Sequence, residues 1–365
     1  MSGLRFRSAC AAAALAAAPT LHAQTIVSPP NFAVAEAPSY GWGGIGTTAT
    51  PSVLQTVHDG FAGTARTFRG VSFRRDGVVN TATYAPASML VSVFMSTAAT
   101  TAATASDTFA QNHGANKKAV AQFSLVQLPA SSFKGLNAPF EFHIPFASPF
   151  SYSGTGSVCL EIQVQSRTQT QLYYLDFVPG GQANPPLETI SKGSGCKVAG
   201  ANSAIVLQPS YTSNWPGNSV TFRYSGYNLA PNSLVTVGIG ISDQVYAGLP
   251  LPAALPGTSS APSGTCTIYN DYLLQIPALS DANGQMNLNL GSTASPAQNG
   301  VNLYAQLITL SAGANAYGLS MSNGVQHQIV APYAAPTTAT IYADGTLGPT
   351  GTLLKGQSYV MRFDV

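Results

Sequence analysis

Charge is scarce in this 365-residue sequence. Fifteen lysines and arginines and thirteen aspartates and glutamates make up only 8% of it, with six lysines and four glutamates among them. Nucleic-acid binding draws its affinity from phosphate neutralisation by a basic face, and a polybasic membrane-surface role needs the same supply. Neither is expected here. Low charge does not signal disorder either, because hydrophobic residues reach 45%, with 16 Phe and 16 Tyr, and disordered chains are poor in both.

Long apolar runs are also missing. The strongest, residues 8–18, is mostly alanine and falls short of the about 20 residues a bilayer span requires. Arg5 and Arg7 precede it and Leu21-His22-Ala23 follows, the order of a secretory signal. Residues 1–23 are therefore expected to be a signal peptide cut after Ala23. Cys10 lies ahead of the cut and is not placed as a lipoprotein cysteine. Processing removes two basic residues and no acids, leaving a formal charge of zero. The mature chain is expected to be exported without a membrane span, to the periplasm, cell surface or medium.

Catalytic signatures are the third absence. No HExxH occurs, no histidine pair has helical i, i+4 spacing, and no G-x-S-x-G elbow is present. His143 alternates with Phe142 and Ile144 and should face solvent, as should Glu141 and Glu161 on their strands. His327 sits between two glutamines, and His58-Asp59-Gly60 resembles a turn. Glycoside hydrolysis needs two facing carboxylates, and the four glutamates, Glu36, Glu141, Glu161 and Glu188, suggest no such pair. Calcium wants six to eight oxygens. The acids are scattered singly, so the Asp281-Ala-Asn283-Gly284 stretch is expected to serve a hairpin turn, with a structural calcium as the alternative. No other cofactor is expected.

What the chain does have is period-2 alternation. Val158, Leu160, Ile162 and Val164 point one way in VCLEIQVQ; Met89, Val91, Val93 and Met95 do so in SMLVSVFMS. Phe140, Phe142, Ile144 and Phe146 repeat the pattern, while 35 glycines and 25 prolines punctuate the strands. Many short strands with frequent turns predict an all-β protein built of sandwiches. Helix-compatible pieces are confined to 106–110 and 51–57, and 97–105 reads as a loop. The Gly/Pro-rich stretch 180–194 divides the chain. We expect a jelly-roll-like β-sandwich over 24–187 and an Ig-like β-sandwich over 188–332. A two-strand C-terminal β-hairpin extension over 333–365 is expected to join an existing sheet or an outside partner.

Several segments recur in a fixed order: FRGVSFRRDG, SVFMST, NHGANKKAV, PFSYSGTGSVCLEI and YYLDFV, then GLPLPAALPG, GTCTIYNDYLLQIP, DANGQMNLNLG and GVNLYAQLITL. This set resembles a group of uncharacterised exported bacterial proteins in which a jelly-roll-like domain precedes a smaller sandwich. The resemblance spans about residues 40–330 and implies fold and export, with no activity attached.

Three cysteines remain after processing. Cys196–Cys266 would staple the second sandwich; Cys159–Cys196 would clamp the boundary instead, and the first is preferred. Among the aromatics most should pack in the core. Trp215 in TSNWPGNS, Trp42 in SYGWGG and the nearby Tyr40 are the candidate ligand-binding platforms. The decapeptide FRGVSFRRDG holds Arg69, Arg74, Arg75 and Asp76, an unusual density for this chain. Its expected meaning is a core strand ending in charges that reach solvent, so that Arg74 and Arg75 could be replaced by glutamine at little cost. The functional expectation is a non-catalytic structural or surface protein, whose partners would be envelope proteins. A carbohydrate-binding protein engaging extracellular or cell-surface polysaccharide is the alternative, and an exported hydrolase with a dispersed site the third.

Overall fold

The computed structural model describes residues 24–78, 83–180, 188–214, 219–256, 265–331 and 333–365, and residues 1–23, expected to be a signal peptide, lie outside them. The fold is all-β, with antiparallel sheets packed around separate cores. A six-stranded sheet runs Thr352–Lys355, Thr338–Asp344, Ser52–His58, Val158–Arg167, Ala87–Thr97, Lys118–Leu128 in spatial order. Facing it is a four-stranded sheet ordered Thr25–Ser28, Met361–Asp364, Arg66–Phe73, Phe142–Tyr152. Leu160, Ile162, Phe68, Phe73, Phe142 and Phe363 fill the space between them. The alternation of the Val158 strand is thus real, and its apolar face is the core face.

A three-stranded sheet, Ser39–Gly41, Leu175–Val178 and Ser358–Tyr359, prolongs the smaller face. It joins the Arg66–Phe73 strand through a bridge between Arg75 and Leu175. A second core lies between the sheet containing Thr189–Lys192, Gly324–Gln328, Asn302–Leu310, Leu234–Gly240 and Leu274–Leu279 and a three-stranded sheet of Val206–Asn214, Ser219–Tyr227 and Met286–Thr293. The Cys196–Cys266 disulfide forms within this part, and Cys159 is free and buried.

Four expectations change. Residues 333–365 contribute four strands, not a two-strand extension, and they enter both faces of the first sandwich. Thr338–Asp344 pairs with Ser52–His58, and Met361–Asp364 lies between Thr25–Ser28 and Arg66–Phe73. Met361 and Phe363 are fully buried there, each contributing about 1.5–3 kcal/mol of apolar burial. Most of 51–57 lies in the strand Ser52–His58, since Val53, Thr56 and Val57 suit a strand buried on both faces; the one α-helix among the described residues is Phe109–Asn112. The 281–284 turn does not close a hairpin, because Leu274–Leu279 and Met286–Thr293 belong to different sheets. Its chemistry is as expected: Asp281 Oδ1 accepts from the backbone N–H groups of Asn283 and Gln285, each at 2.8 Å.

The fourth change concerns the outer face of the six-stranded sheet. Glu161 is buried, because the 98–112 segment, with Ala102, Ala105 and Phe109, packs across Val53, Val57, Cys159 and Ile341. Alternation marked the two faces correctly but could not show that both would be covered. His143 is exposed as expected. No helix among the described residues is long and apolar enough to cross a membrane.

Candidate functional site

The histidines come first, since any hydrolytic site would draw on them. His58 is fully buried at the end of its strand. Its Nδ1 lies 3.0 Å from Ser28 Oγ and its Nε2 2.9 Å from Thr56 Oγ1, against the rings of Phe61 and Phe363. Burial pushes its pKa down to about 3, so it is a neutral core residue. His327 is likewise buried and lowered to about 4 by desolvation, with Nε2 2.8 Å from the Tyr224 hydroxyl.

His113 has the most suggestive surroundings. Nε2 lies 2.9 Å from Glu161 Oε2 and 3.9 Å from Cys159 Sγ, and Nδ1 is 2.8 Å from Ser96 Oγ. A thiol nucleophile needs one ring nitrogen to take its proton and the other to be oriented by a third group. Here the nitrogen facing the thiol is the same one that faces the carboxylate. With Nε2–H donating to Glu161 and the Ser96 hydroxyl donating to Nδ1, every partner is satisfied and none can receive the thiol proton. Burial also raises the Cys159 thiol well above its usual range. For Glu161 burial pushes upward, but His113 and Lys117 together hold the carboxyl below its ordinary value. Gln55 Nε2 donates to Glu161 Oε2 at 2.9 Å, and Asn112 Nδ2 donates to Gln55 Oε1 at 2.8 Å. The cluster fastens the 98–112 segment to the sheet.

The charges of FRGVSFRRDG turn inward, correcting the expectation that they reach solvent. Arg69 is exposed, but Arg74, Arg75 and Asp76 are 2%, 0% and 0% exposed. Past the strand's end at Phe73 the chain pairs with the edge of the added three-stranded sheet, with Asp176 N donating to Arg74 O and Asp76 N to Tyr174 O, both at 3.1 Å. Arg74 is ion-paired to Asp176 and donates to Ala35 O, with the Phe140 ring 5.3 Å away. Arg75 donates to Ser131 Oγ and Phe133 O at 3.1 Å and lies 4.4 Å over the Tyr84 ring.

The aromatic candidates separate cleanly. Tyr173 and Tyr224 are core residues, and Trp215 lies outside the described residues. Tyr40 and Trp42 stand together at the edge strand Ser39–Gly41, where residues two apart share a face. Their ring centroids are 6.1 Å apart and their planes differ by 27°. Tyr174 meets both edge-on, at 5.0 and 5.9 Å. Trp42 is 42% exposed. Behind the pair lies a hollow of about 140 Å³, walled by Phe177, Tyr342, Leu354 and Tyr359. The glycines of SYGWGG make it: a Cβ at Gly41 would lie 2.8 Å from the Tyr359 ring, and one at Gly43 2.6 Å from that of Tyr342. The Tyr359 hydroxyl donates to Gly43 O at 2.9 Å, fixing the strand against this wall.

This arrangement offers an aromatic cluster beside an apolar hollow, with phenol and indole groups at its rim, suited to a ligand with one apolar face and hydroxyls around it. Tyr40 and Trp42 were legible in the sequence. Tyr342 and Tyr359 were not, because they come from the C-terminal strands, more than 300 residues away along the chain. A larger apolar groove of about 450 Å³ opens between Pro29, Phe32, Phe61, Pro296 and Tyr333, where the two sandwiches meet, with few polar groups to orient a ligand.

No family model matches the chain, and no curated protein matches it. One solved structure found in comparison is the cryo-EM structure of T=3 Penaeus vannamei nodavirus. It is 12% identical, covering 90% of this chain and 98% of that chain, with a TM-score of 0.11. A superposition that poor bears on neither fold nor function.

Proposed function

We propose that this chain is an exported, non-catalytic β-sandwich protein that binds carbohydrate through Tyr40, Trp42 and Tyr174. One observation carries the reading: a near-parallel pair of half-buried Tyr40 and exposed Trp42 at a sheet edge, set before a hollow with an aromatic wall. Sugar rings present axial C–H groups that pack on aromatic faces, while their hydroxyls stay wet or meet phenol rims. The non-catalytic part is supported by His58 and His113, both of whose ring nitrogens meet partners inside the fold. Export rests on the signal-like leader, the disulfide and the resemblance to exported bacterial proteins. A sandwich hosts many roles, so the fold alone carries none of this.

The test is a glycan array followed by fluorescence titration of the selected polysaccharide. Only two tryptophans exist, so Trp215→Phe isolates the Trp42 signal. Binding should quench or shift Trp42 emission, and Trp42→Ala should weaken affinity about tenfold or more, the loss of ~1.4 kcal/mol of ring contact. Absence of selective glycan binding, or binding untouched by Trp42→Ala, would leave the structural surface role in its place.

A further inference from the structure

Four carboxylates converge where the two sandwiches join. Glu36 precedes the Ser39–Gly41 strand, Asp76 follows the Arg66–Phe73 strand, and Asp176 lies on Leu175–Val178. Glu188 comes from the other side, one residue before Thr189–Lys192 of the second sandwich. Asp176 is held by Arg74 and by the backbone N–H of Ala37 at 3.0 Å. The other three each offer a carboxylate oxygen, and these oxygens all lie within 4.8 Å of one another.

Arg74 is the cation acting on this group, and its guanidinium is already engaged by Asp176 and Ala35 O. Arg75, its neighbour, faces Ser131 and Tyr84. Among the described residues of this junction four carboxylates outnumber the neighbouring arginines, and such an imbalance must be relieved by protons or by a cation.

A second observation points to a ligand. Glu36 is 2% exposed, and one of its oxygens, Oε2, accepts from Asn137 N. The other, Oε1, has no hydrogen-bond partner and lies buried; both oxygens of Glu188 are buried and unpaired in the same way. Buried carboxylate oxygens are ordinarily satisfied. Glu36, Glu188, Gln328 and Val330 also line a small cavity of about 10 Å³, roughly the space of a single water or ion.

We propose that Glu36, Asp76 and Glu188 bind a calcium ion that clamps the junction of the two sandwiches. The donors are all hard oxygens, which excludes a preference for zinc or copper. Calcium accepts irregular carboxylate sets at roughly 2.3–2.6 Å, whereas magnesium demands near-ideal octahedral geometry at about 2.0–2.1 Å and keeps most of its waters. The ion would reinforce an existing tie, since the backbone N–H of Glu36 already donates to Gln328 Oε1 of the second sandwich at 3.0 Å.

The test is calorimetric titration of the EDTA-stripped full chain with calcium chloride, together with thermal unfolding in EDTA and in 5 mM calcium. One ion per chain is expected, with a Kd on the order of 10⁻⁴–10⁻³ M or tighter, and a higher unfolding temperature in calcium. Glu188→Gln and Glu36→Gln should each weaken binding at least tenfold. In EDTA the same variants should be as stable as the parent or more so, because each replaces a buried carboxyl with an unpartnered oxygen by an amide that needs no counter-ion. That crossing of signs separates a cation site from a structural carboxyl. Absence of calcium binding by the parent protein would overturn the proposal, as would variants that keep full affinity. Should a variant fail to fold, the titration of the parent still decides.

Discussion

Arg74→Gln provides the sharpest test of the buried network. The side chain is 2% exposed and its partner Asp176 is fully buried. Removing one member of such a pair costs about 3–5 kcal/mol, because the other charge is left without a counter-ion in a poorly solvated site. Two features place the loss near the lower end, about 3 kcal/mol. Asp176 keeps the Ala37 N–H, and its carboxyl, which burial raises to about 6, can take up a proton to shed part of the penalty. The contact with the Phe140 ring is lost as well. Arg69→Gln is the internal control: it lies on the same strand, is exposed, and should change stability by no more than about 0.5 kcal/mol. Urea unfolding at pH 7, followed by Trp42 emission, gives both values from the midpoints at constant slope. A cycle with Asp176→Asn should show coupling of about 1 kcal/mol or more. Equal midpoints for the two arginine variants, or zero coupling, would mean that Arg74 reaches water and that the pair does not hold the strand extension in place.

Two other predictions follow from buried groups. His58 is neutral in the fold with a pKa near 3 against about 6.5 when unfolded, so the unfolded chain binds the extra proton first. Its contribution is complete above pH 6.5 and is lost as pH falls through the window from 6.5 toward 3. Between pH 7 and pH 5 the stability advantage of the parent over His58→Gln should shrink by about 2 kcal/mol; a constant difference would show that His58 titrates normally. Cys196→Ala with Cys266→Ala opens a link between residues 70 apart, and should cost the second sandwich about 4 kcal/mol by loop-closure entropy. Cys159 in that variant should stay unreactive toward a thiol reagent until unfolding, and rapid labelling in the native state would contradict its burial.

The strand alternation was readable because one face of every strand had to be apolar, whatever sheet it entered. Which sheet it entered was not, since that depends on pairings between distant segments. Val158–Arg167 and Leu175–Val178 follow one another across a polar turn yet enter different sheets, and nothing local distinguishes this from a hairpin. The same limit hid the coverage of Glu161: its alternation with Leu160 and Ile162 is that of a solvent-facing residue, and only the packing of 98–112 makes it a buried one. Trp42 was legible as a tryptophan too closely flanked by glycine to be core. The reason for those glycines required knowing that Tyr342 and Tyr359 return to lie against them.

The inward charges of FRGVSFRRDG bear on how a sparsely charged chain should be read. In an ordinary surface, Lys and Glu are plentiful and a cluster of arginines is most simply a solvated face. Here charged residues are only 8% of the sequence, so the surface cannot rest mainly on ionised groups. Arg74, Arg75, Asp76, Asp176, Glu36 and Glu161 are all buried, each beside a contact between separate segments or layers of the structure. Arginine suits that position because its planar guanidinium can bond a carboxylate and a backbone carbonyl at once while stacking on an aromatic ring. Where charge is rare, its local concentration is therefore better evidence of a buried junction than of a surface. FRGVSFRRDG lies where the first sandwich, its added sheet and the second sandwich come together.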